Sequence, residues 1–301
     1  MKKSRTGVAV LFIGFLIVAF VALIMTLSML SNEKEETGTW SSILEGGNKI
    51  GIVTIEGTIM SSDDILKQLR KYRKKSSIKA VLLRVNSPGG SVAPAQEIYR
   101  EIARLREKKP VVVSMETVAA SAAYYISSNA DAIVCSQGTI TGSIGVIMIL
   151  PEIHQIIQRV GADVNIIKAG KYKDIGSITR PLTEEERGIL NGFAAEIHEQ
   201  FISDVARGRK GKIEEQKLRE IADGRFFTGE KAKEWGLVDD IGNFYDAVKV
   251  AAKLGKIKTE PELVYPKKKW DNLLDVFMES AASAVVKVVE RTRALQAPTI
   301  Q

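Results

Sequence analysis

Apolar runs alternate with amphipathic segments through most of the chain after residue 49, and this alternation indicates repeated strand and helix units. Apolar runs rich in β-branched residues predict buried strands at residues 51–57, 78–85, 111–115, 132–135 and 164–167. Apolar residues at helical spacing predict helices over residues 63–75, through Ile98, Ile102 and Leu105, after Ser121 and around His154. The pattern therefore predicts an α/β domain with a largely parallel sheet.

The first apolar segment has a different character. Residues 7–30 carry no charge and are numerous enough to cross a hydrocarbon core of roughly 30 Å as a helix. This stretch is longer than the apolar region of a cleaved signal peptide, which favours a retained signal anchor. Lys2, Lys3 and Arg5 precede it, so the positive-inside rule predicts a cytoplasmic N-terminus. We expect a single-pass protein of the cell membrane whose folded domain lies on the extracytoplasmic side.

The pattern divides the chain into four regions. Residues 1–30 form the basic tip and the predicted anchor, residues 31–48 a polar linker, residues 49–256 the α/β domain, and residues 257–301 a C-terminal extension. Thr183 and Glu186 have capping-box spacing and predict the start of a long helix. The basic, glycine-broken residues 207–212 predict a solvated loop, and an apolar stripe from Trp270 to Val288 predicts an amphipathic helix in the extension.

Composition excludes several kinds of chemistry. The net charge of +7 is spread along the chain, and no basic motif is interleaved with aromatic residues, so we expect no nucleic-acid partner. The single cysteine, Cys135, excludes an internal disulfide and a cysteine-rich metal site, and its apolar neighbours predict a core position. The two histidines, His154 and His198, lie in polar helical patterns that predict solvated faces. We therefore expect no metal, no cofactor and no histidine base.

Ser121 occupies the point where an apolar strand pattern changes into a helix-like Ala-Ala-Tyr-Tyr-Ile. Free N–H groups at the start of a helix can stabilise developing negative charge, which suits a nucleophile at this position. A packed serine at the start of an alanine-rich helix fits the same pattern. Ser121 alone therefore does not distinguish catalysis from packing.

A second candidate element is the loop of residues 86–91, with the sequence Asn-Ser-Pro-Gly-Gly-Ser. Gly89 and Gly90 permit backbone conformations that other residues resist, and they leave their amides open to a substrate carbonyl. The loop follows a predicted strand, where an oxyanion hole would be useful. An ordinary turn has the same composition.

A serine nucleophile needs a base, and a lysine can serve where no histidine is available. A serine hydroxyl is poorly reactive until its proton is removed. A lysine can do this if its pKa falls by roughly 3 units from the reference value of about 10.4, which burial in an apolar pocket can achieve. Lys168, Lys171 and Lys173, which follow the last predicted strand, are the candidates.

Together these motifs resemble the signal peptide peptidase A family, membrane-anchored Ser/Lys proteases of the Clp-protease/crotonase fold. The resemblance extends from residue 50 to residue 252 and rests on five motifs in family order: NSPGGS (86–91), ETVAASAAYYIS (116–127), GTITGSIGV (138–146), KAGKYKDIGS (168–177) and GRFFTG (224–229). One departure is visible. The family usually has two glycines directly after the nucleophile, where this chain has Ala122 and Ala123.

The resemblance implies roles for particular residues. It implies that Ser121 is the nucleophile, that Lys173 is the general base, and that Ser143 hydrogen-bonds the lysine and orients it. Gly89 or Gly90 would supply an N–H of the oxyanion hole. No cofactor or metal is implied, and residues 49–256 are expected to form a Clp-protease-like catalytic domain.

The resemblance also implies partners. Family members form homo-oligomeric rings in which neighbouring subunits complete each site, and they cleave extended apolar peptides such as signal peptides released from preproteins. Three alternatives stay open at this stage. The chain could be a stomatin-operon-type membrane protease, which cuts an apolar region of a membrane partner, a crotonase-fold acyl-CoA enzyme, or an inactive scaffold that binds membrane peptides.

Overall fold

The structure is a computed structural model that describes residues 48–266. The predicted anchor, nearly all of the predicted linker and the apolar stripe from Trp270 to Val288 lie outside the described residues. Within residues 48–266, no helix is long and apolar enough to cross a membrane. The predicted domain boundaries remain predictions.

The described chain contains eight strands and eight helices. The strands are β1 (Lys49–Glu56), β2 (Ile78–Ser87), β3 (Val111–Ala120), β4 (Ala132–Cys135), β5 (Ile140–Gly142), β6 (Phe226–Thr228), β7 (Asp240–Ile241) and β8 (Glu262–Val264). The helices are α1 (Asp63–Lys74), α2 (Val92–Arg106), α3 (Ala122–Ser128), α4 (His154–Arg159), α5 (Glu184–Gly208), α6 (Glu215–Ile221), α7 (Gly229–Glu234) and α8 (Phe244–Leu254).

All eight strands belong to one sheet. Six of them follow one another in the order β6-β5-β3-β2-β1-β8, and β4 and β7 lie off this path. Strand β3 is long enough to pair with two short strands on the same side, β4 along its first half and β5 along its last residues. Strand β7 extends the sheet beyond β4. Only the β5–β6 pair is antiparallel among these pairings, so the prediction of an α/β domain with a largely parallel sheet is confirmed.

The register brings three strand ends to one edge of the sheet. Ser87 at the end of β2 pairs with Ala119, and Ala120 at the end of β3 pairs with Gly142 at the end of β5. Because these strands are parallel and adjacent, the segments that follow them all begin side by side. In open α/β sheets, ligands bind at this carboxyl edge.

Both faces of the sheet are covered, as a parallel sheet requires. Residues of β1 pack on both faces of the sheet. Val53 and Ile55 belong to a large core cluster, and Ile50 and Ile52 belong to a smaller one. The large cluster includes apolar residues of α1, α2, α3 and α5, whereas the smaller one includes only α8 among the helices. The carboxyl edge is therefore supported by a rigid, two-sided core.

The predictions for residues 164–167 and 207–212 were wrong. Residues 164–167 form no strand, because no described strand pairs with them, and Ile167 is 100% exposed. Residues 207–212 are not a simple solvated loop, since α5 continues to Gly208 and Arg209 is only 1% exposed. The Arg209 guanidinium donates to the carbonyl oxygen of Gly236 at 2.8 Å and to the carboxylate of Asp239 at 2.8 Å. These distant partners, rather than the local sequence, bury it.

Candidate active site

Ser121 forms the junction between β3 and α3 and has an unusual backbone conformation. Its φ of 54° is one that non-glycine residues adopt uncommonly. Its amide N–H donates to the carbonyl oxygen of Gly142 at 2.9 Å, and its own carbonyl accepts from the N–H of Tyr125 at 2.8 Å. One bond holds Ser121 to the sheet and the other to the helix, so the surrounding structure fixes this sharp turn. Strained conformations of this kind are frequent at functional sites.

The glycine loop lies directly against Ser121. A Cβ added to Gly89, whose φ is 116°, would lie 2.8 Å from the Cβ of Ser121. A Cβ on Gly90 would lie 2.2 Å from the carbonyl oxygen of Ile59. The chain near Ile59 makes two bonds with this loop, from Ile59 N–H to the Gly89 carbonyl at 2.9 Å and from Ser91 N–H to the Ile59 carbonyl at 2.8 Å. Glycine is therefore required at both positions by close contacts on opposite sides.

The two glycine amides differ in their availability. The N–H of Gly89 donates to Oγ of Ser87 at 3.1 Å. The N–H of Gly90 has no acceptor within residues 48–266, and the same holds for the N–H of Ala122 at the start of α3. Both Gly90 and Ala122 line the cavity that contains Ser121. Within the described chain, these two amides are the available donors beside the serine.

The cavity at the carboxyl edge has a volume of about 600 Å³. It brings Ser121 and Ser143 together, and neither hydroxyl has a hydrogen-bond partner within the described residues. Ser143 follows β5, has a φ of 50°, and donates its N–H to the carbonyl of Arg225 at 2.8 Å. The apolar lining comes mainly from α2, α3 and α5, through Val92, Ala95, Tyr125, Ala194, Ala195, Ile197 and Phe201. The site thus combines two free hydroxyls with an apolar wall.

Tyr125 forms a fixed part of that wall. Its ring packs against Phe201 and Tyr99, with centroid distances of 4.8 and 5.2 Å. Its hydroxyl donates to the carboxylate of Asp204. Burial, and then this carboxylate, raise the pKa of Tyr125 well above its usual value. The side chain therefore remains neutral and contributes an apolar ring to the cavity.

His198 also lines the cavity, so the prediction that it lies on a solvated face was wrong. The residue is half-buried, and its Nε2 lies 3.2 Å from the carbonyl oxygen of Ile144, next to Ser143. A pattern in the sequence could have indicated this position. His198 precedes Phe201 by three residues on a helix, and residues at this spacing share one face.

Lys173 does not line the cavity that contains Ser121. It is exposed, and its amide N–H donates to the carbonyl of Gly170 at 3.2 Å in a turn. The other two candidate lysines have carboxylate partners, Asp174 for Lys168 and Glu185 for Lys171. Lys173 alone of the three has no ion pair within residues 48–266. The described chain therefore brings together the two serines and the glycine loop, but not the predicted base.

Ala122 and Ala123 fit the position where the family usually has glycines. They are the first two residues of α3, both are buried, and neither has a positive φ. Because alanine is the best helix former, the backbone at this point makes no demand that only glycine could meet.

Comparison with known proteins agrees with this site. The chain matches Peptidase family S49 over residues 103–258 and the Clp protease family over residues 34–134. It therefore belongs to peptidase family S49, the family of signal peptide peptidase A, and is a serine protease.

Three relatives illustrate the range of the family. A putative protease from Methanocaldococcus jannaschii is 38% identical over 279 residues, which cover 88% of this chain and 86% of that protein. A putative signal peptide peptidase SppA from Enterococcus faecium is 34% identical and covers 67% of this chain and 58% of that protein. Protease 4 from Salmonella typhi is 36% identical and covers 79% of this chain but only 40% of that protein. The longer relatives contain extensive sequence beyond the shared part.

Proposed function

We propose that this protein is a membrane-bound endopeptidase that hydrolyses extended apolar peptides, remnant signal peptides among them, with a Ser/Lys dyad. The observation that carries the proposal is the position of Ser121, which faces an apolar cavity between two unoccupied backbone donors. In this proposal Ser121 is the nucleophile and Lys173 of a neighbouring subunit is the base.

The geometry around Ser121 supports acyl transfer. Oγ of Ser121 would attack the scissile carbonyl, and the N–H groups of Gly90 and Ala122 would bind the oxyanion that forms. Each backbone donor of this type contributes about 100-fold or more to the rate in serine proteases. Gly89 would act indirectly, because its lack of a side chain leaves room for Ser121.

The position of Lys173 supports a base supplied by a neighbour. In the described chain Lys173 is exposed to water and does not line the cavity that contains Ser121. Insertion into the apolar cavity of another subunit would favour the neutral amine, because desolvation penalises the charged form. Ser143, whose hydroxyl is free within the described chain, would then hydrogen-bond the amine and orient it.

Exposed apolar side chains support assembly into a ring. Ile147, Ile149 and Val160 are 83%, 81% and 73% exposed in the subunit, and Ile167 is fully exposed. Such a concentration of apolar surface is typical of an interface. All four residues lie between β5 and the loop that carries Lys173, so a contact through this segment would bring Lys173 towards another subunit.

The cavity and the predicted anchor support the proposed substrate class. Apolar walls from α2 and α5 favour apolar side chains, and the open backbone donors favour an extended peptide. A membrane anchor would hold the protease where signal peptides remain after cleavage of preproteins. The acyl-CoA alternative is not supported, since the family is a peptidase family.

Subunit mixing tests this proposal. In the full-length protein, Ser121→Ala and Lys173→Ala should each abolish cleavage of a fluorogenic apolar peptide while the assembly remains intact. Co-expression of the two inactive variants should restore activity, because some interfaces pair an intact serine with an intact lysine. With equal, random assembly, about a quarter of the interfaces do so. Full activity of either single variant would disprove the dyad. Inactive mixed rings would mean that the serine and the lysine of each site come from the same subunit.

A further inference from the structure

We propose that Arg180 is a positioning residue for the base loop, defined here as residues 168–178, and that it acts through Asp174. The inference rests on the proposed function, because it concerns how Lys173 is presented. Arg180 itself does not line the Ser121 cavity, so it is not assigned a direct catalytic role.

Arg180 binds the base loop at its central carboxylate. Its Nε donates to Oδ2 of Asp174 at 2.8 Å, and its Nη2 lies 3.3 Å from the backbone carbonyl of the same residue. Asp174 directly follows Lys173, and its side chain is largely buried. Lys168, at the start of the loop, also donates to this carboxylate. Two cations therefore converge on the residue next to the proposed base.

The other side of the Arg180 guanidinium is fixed to α5. Nη1 and Nη2 donate to the two carboxylate oxygens of Glu186 at 2.8 and 2.5 Å, a bidentate pair. Glu186 also closes a capping box, in which it accepts from the N–H of Thr183 at 3.1 Å. Arg180 thus ties Asp174 to the first turn of a 25-residue helix.

The base loop is connected to α5 on both sides of Lys173. Its residues form turns rather than a helix or a strand, with Lys173 N–H bonded to Gly170 at 3.2 Å and Ser177 N–H bonded to Asp174 at 3.0 Å. Most of the loop side chains are exposed, so apolar packing does not hold it. Lys171 donates to the carboxylate of Glu185 on α5 at 2.7 Å, and the Tyr172 hydroxyl contacts the same carboxylate. The Arg180 bridge is the connection on the other side of Lys173, at Asp174.

The charges of the bridge are stable at physiological pH. Hydrogen bonds from Arg180 and then Lys168 hold the pKa of Asp174 well below its usual range. Hydrogen bonds from Arg180 and from Thr183 lower the pKa of Glu186 to about 2. Both carboxylates therefore remain ionised, and the bridge persists under the conditions in which a protease of this kind works.

A positioned base explains why such a bridge would matter for the rate. Misplacement of a catalytic group by about 1 Å can reduce the rate about 100-fold, although binding of the substrate is unaffected. Loss of the bridge should therefore lower kcat more than it raises KM.

The test compares Arg180→Gln with Arg187→Gln in the full-length assembled protein. Arg187 lies on α5, the helix that Arg180 contacts through Glu186, but it makes only a long contact of 3.5 Å with the exposed Glu184, so it serves as the matched control. Arg180→Gln should lower kcat about 100-fold, leave KM within about twofold, and increase hydrogen exchange in residues 168–178. Arg180→Lys should recover part of kcat, and Arg187→Gln should behave as wild type.

Asp174→Asn provides a second approach to the same contact, and it keeps the test valid if Arg180→Gln folds poorly. It should reproduce the loss of kcat and the increased exchange. Wild-type kcat or unchanged exchange in folded Asp174→Asn or Arg180→Gln would overturn the inference while the dyad stands. An active Lys173→Ala variant would instead show that the proposed function has failed.

Discussion

The amide N–H of Ser121 donates to the carbonyl oxygen of Gly142 at 2.9 Å. Gly142 directly precedes Ser143, so the backbones that carry the two free hydroxyls of the cavity are joined by a hydrogen bond between the ends of β3 and β5. A shift of either strand end would displace both serines. The pair is therefore positioned by the pairing of β3 with β5.

The first prediction concerns the space beside Ser121. Gly89→Ala would place a methyl group 2.8 Å from the Cβ of Ser121. We expect kcat/KM for an apolar peptide to fall about 100-fold, because the serine must move from its present position. Gly57→Ala is the control, since Gly57 also has a positive φ but has nothing within 4 Å of an added Cβ. Equal losses of kcat/KM in both variants would show that backbone strain, and not crowding of Ser121, causes the effect.

The second prediction concerns the size of the cavity. Ala194 of α5 lines the apolar wall, and Ala194→Leu would reduce the space available to a large substrate side chain. We expect KM to rise about 10-fold for peptides with large apolar side chains and to change little for peptides with alanine. Ala103→Leu, at an exposed position on α2, should alter neither value. A uniform change across the peptide series would indicate that Ala194 does not contact the substrate.

The third prediction concerns pH and the Arg180 bridge. The folded-state pKa of Glu186 is about 2, below the ordinary value of 4.5, and that of Asp174 is also lowered. A lowered carboxyl pKa stabilises the folded state above the ordinary pKa, and this stabilisation disappears as the pH falls through the folded value. The thermal midpoint of wild type should exceed that of Arg180→Gln at neutral pH, and the difference should shrink between about pH 4.5 and pH 2. A difference that is independent of pH would contradict this assignment.

The fourth prediction concerns Cys135. The thiol is buried in β4, and burial raises its pKa to about 11. A native protein at mildly alkaline pH should therefore react with a thiol reagent only slowly, and denaturant should make the reaction fast. Ser76→Cys, at an exposed position after α1, would show the rate of an accessible thiol in the same protein. Rapid labelling of Cys135 in the native state would show that β4 opens readily.

Local sequence patterns predicted strands β1 to β4, because burial on both faces of the sheet requires continuous apolar runs, whereas the short strands β6 to β8 were not predicted. The apolar run at 132–135 matches β4, and the Thr183 capping box opens α5. The motifs at Ser121 and Gly90 were also recognisable, since each follows a predicted strand, whereas Ser143 was identified only through the family resemblance. Their proximity depends on strand order, which periodicity does not contain.

Other features depend on contacts between distant parts of the chain. His198 lies in the cavity because α5 crosses the carboxyl edge of the sheet, and Arg209 is buried because Gly236 and Asp239 meet it. Residues 164–167 have the composition of a strand but no described partner strand. The Gly89 amide donates to the Ser87 hydroxyl, whereas the Gly90 amide does not. A sequence pattern does not contain this difference, because it depends on the exact geometry of the loop.

The exposed position of Lys173 has a consequence for control of proteolysis. A newly made subunit would carry a nucleophile without its base and a base without its nucleophile, so it would be inert towards every protein it meets during folding. Activity would appear only after rings have assembled. The activity per subunit would therefore increase with subunit concentration. Under the proposed function, assembly itself would take the place that a removable pro-segment has in other proteases.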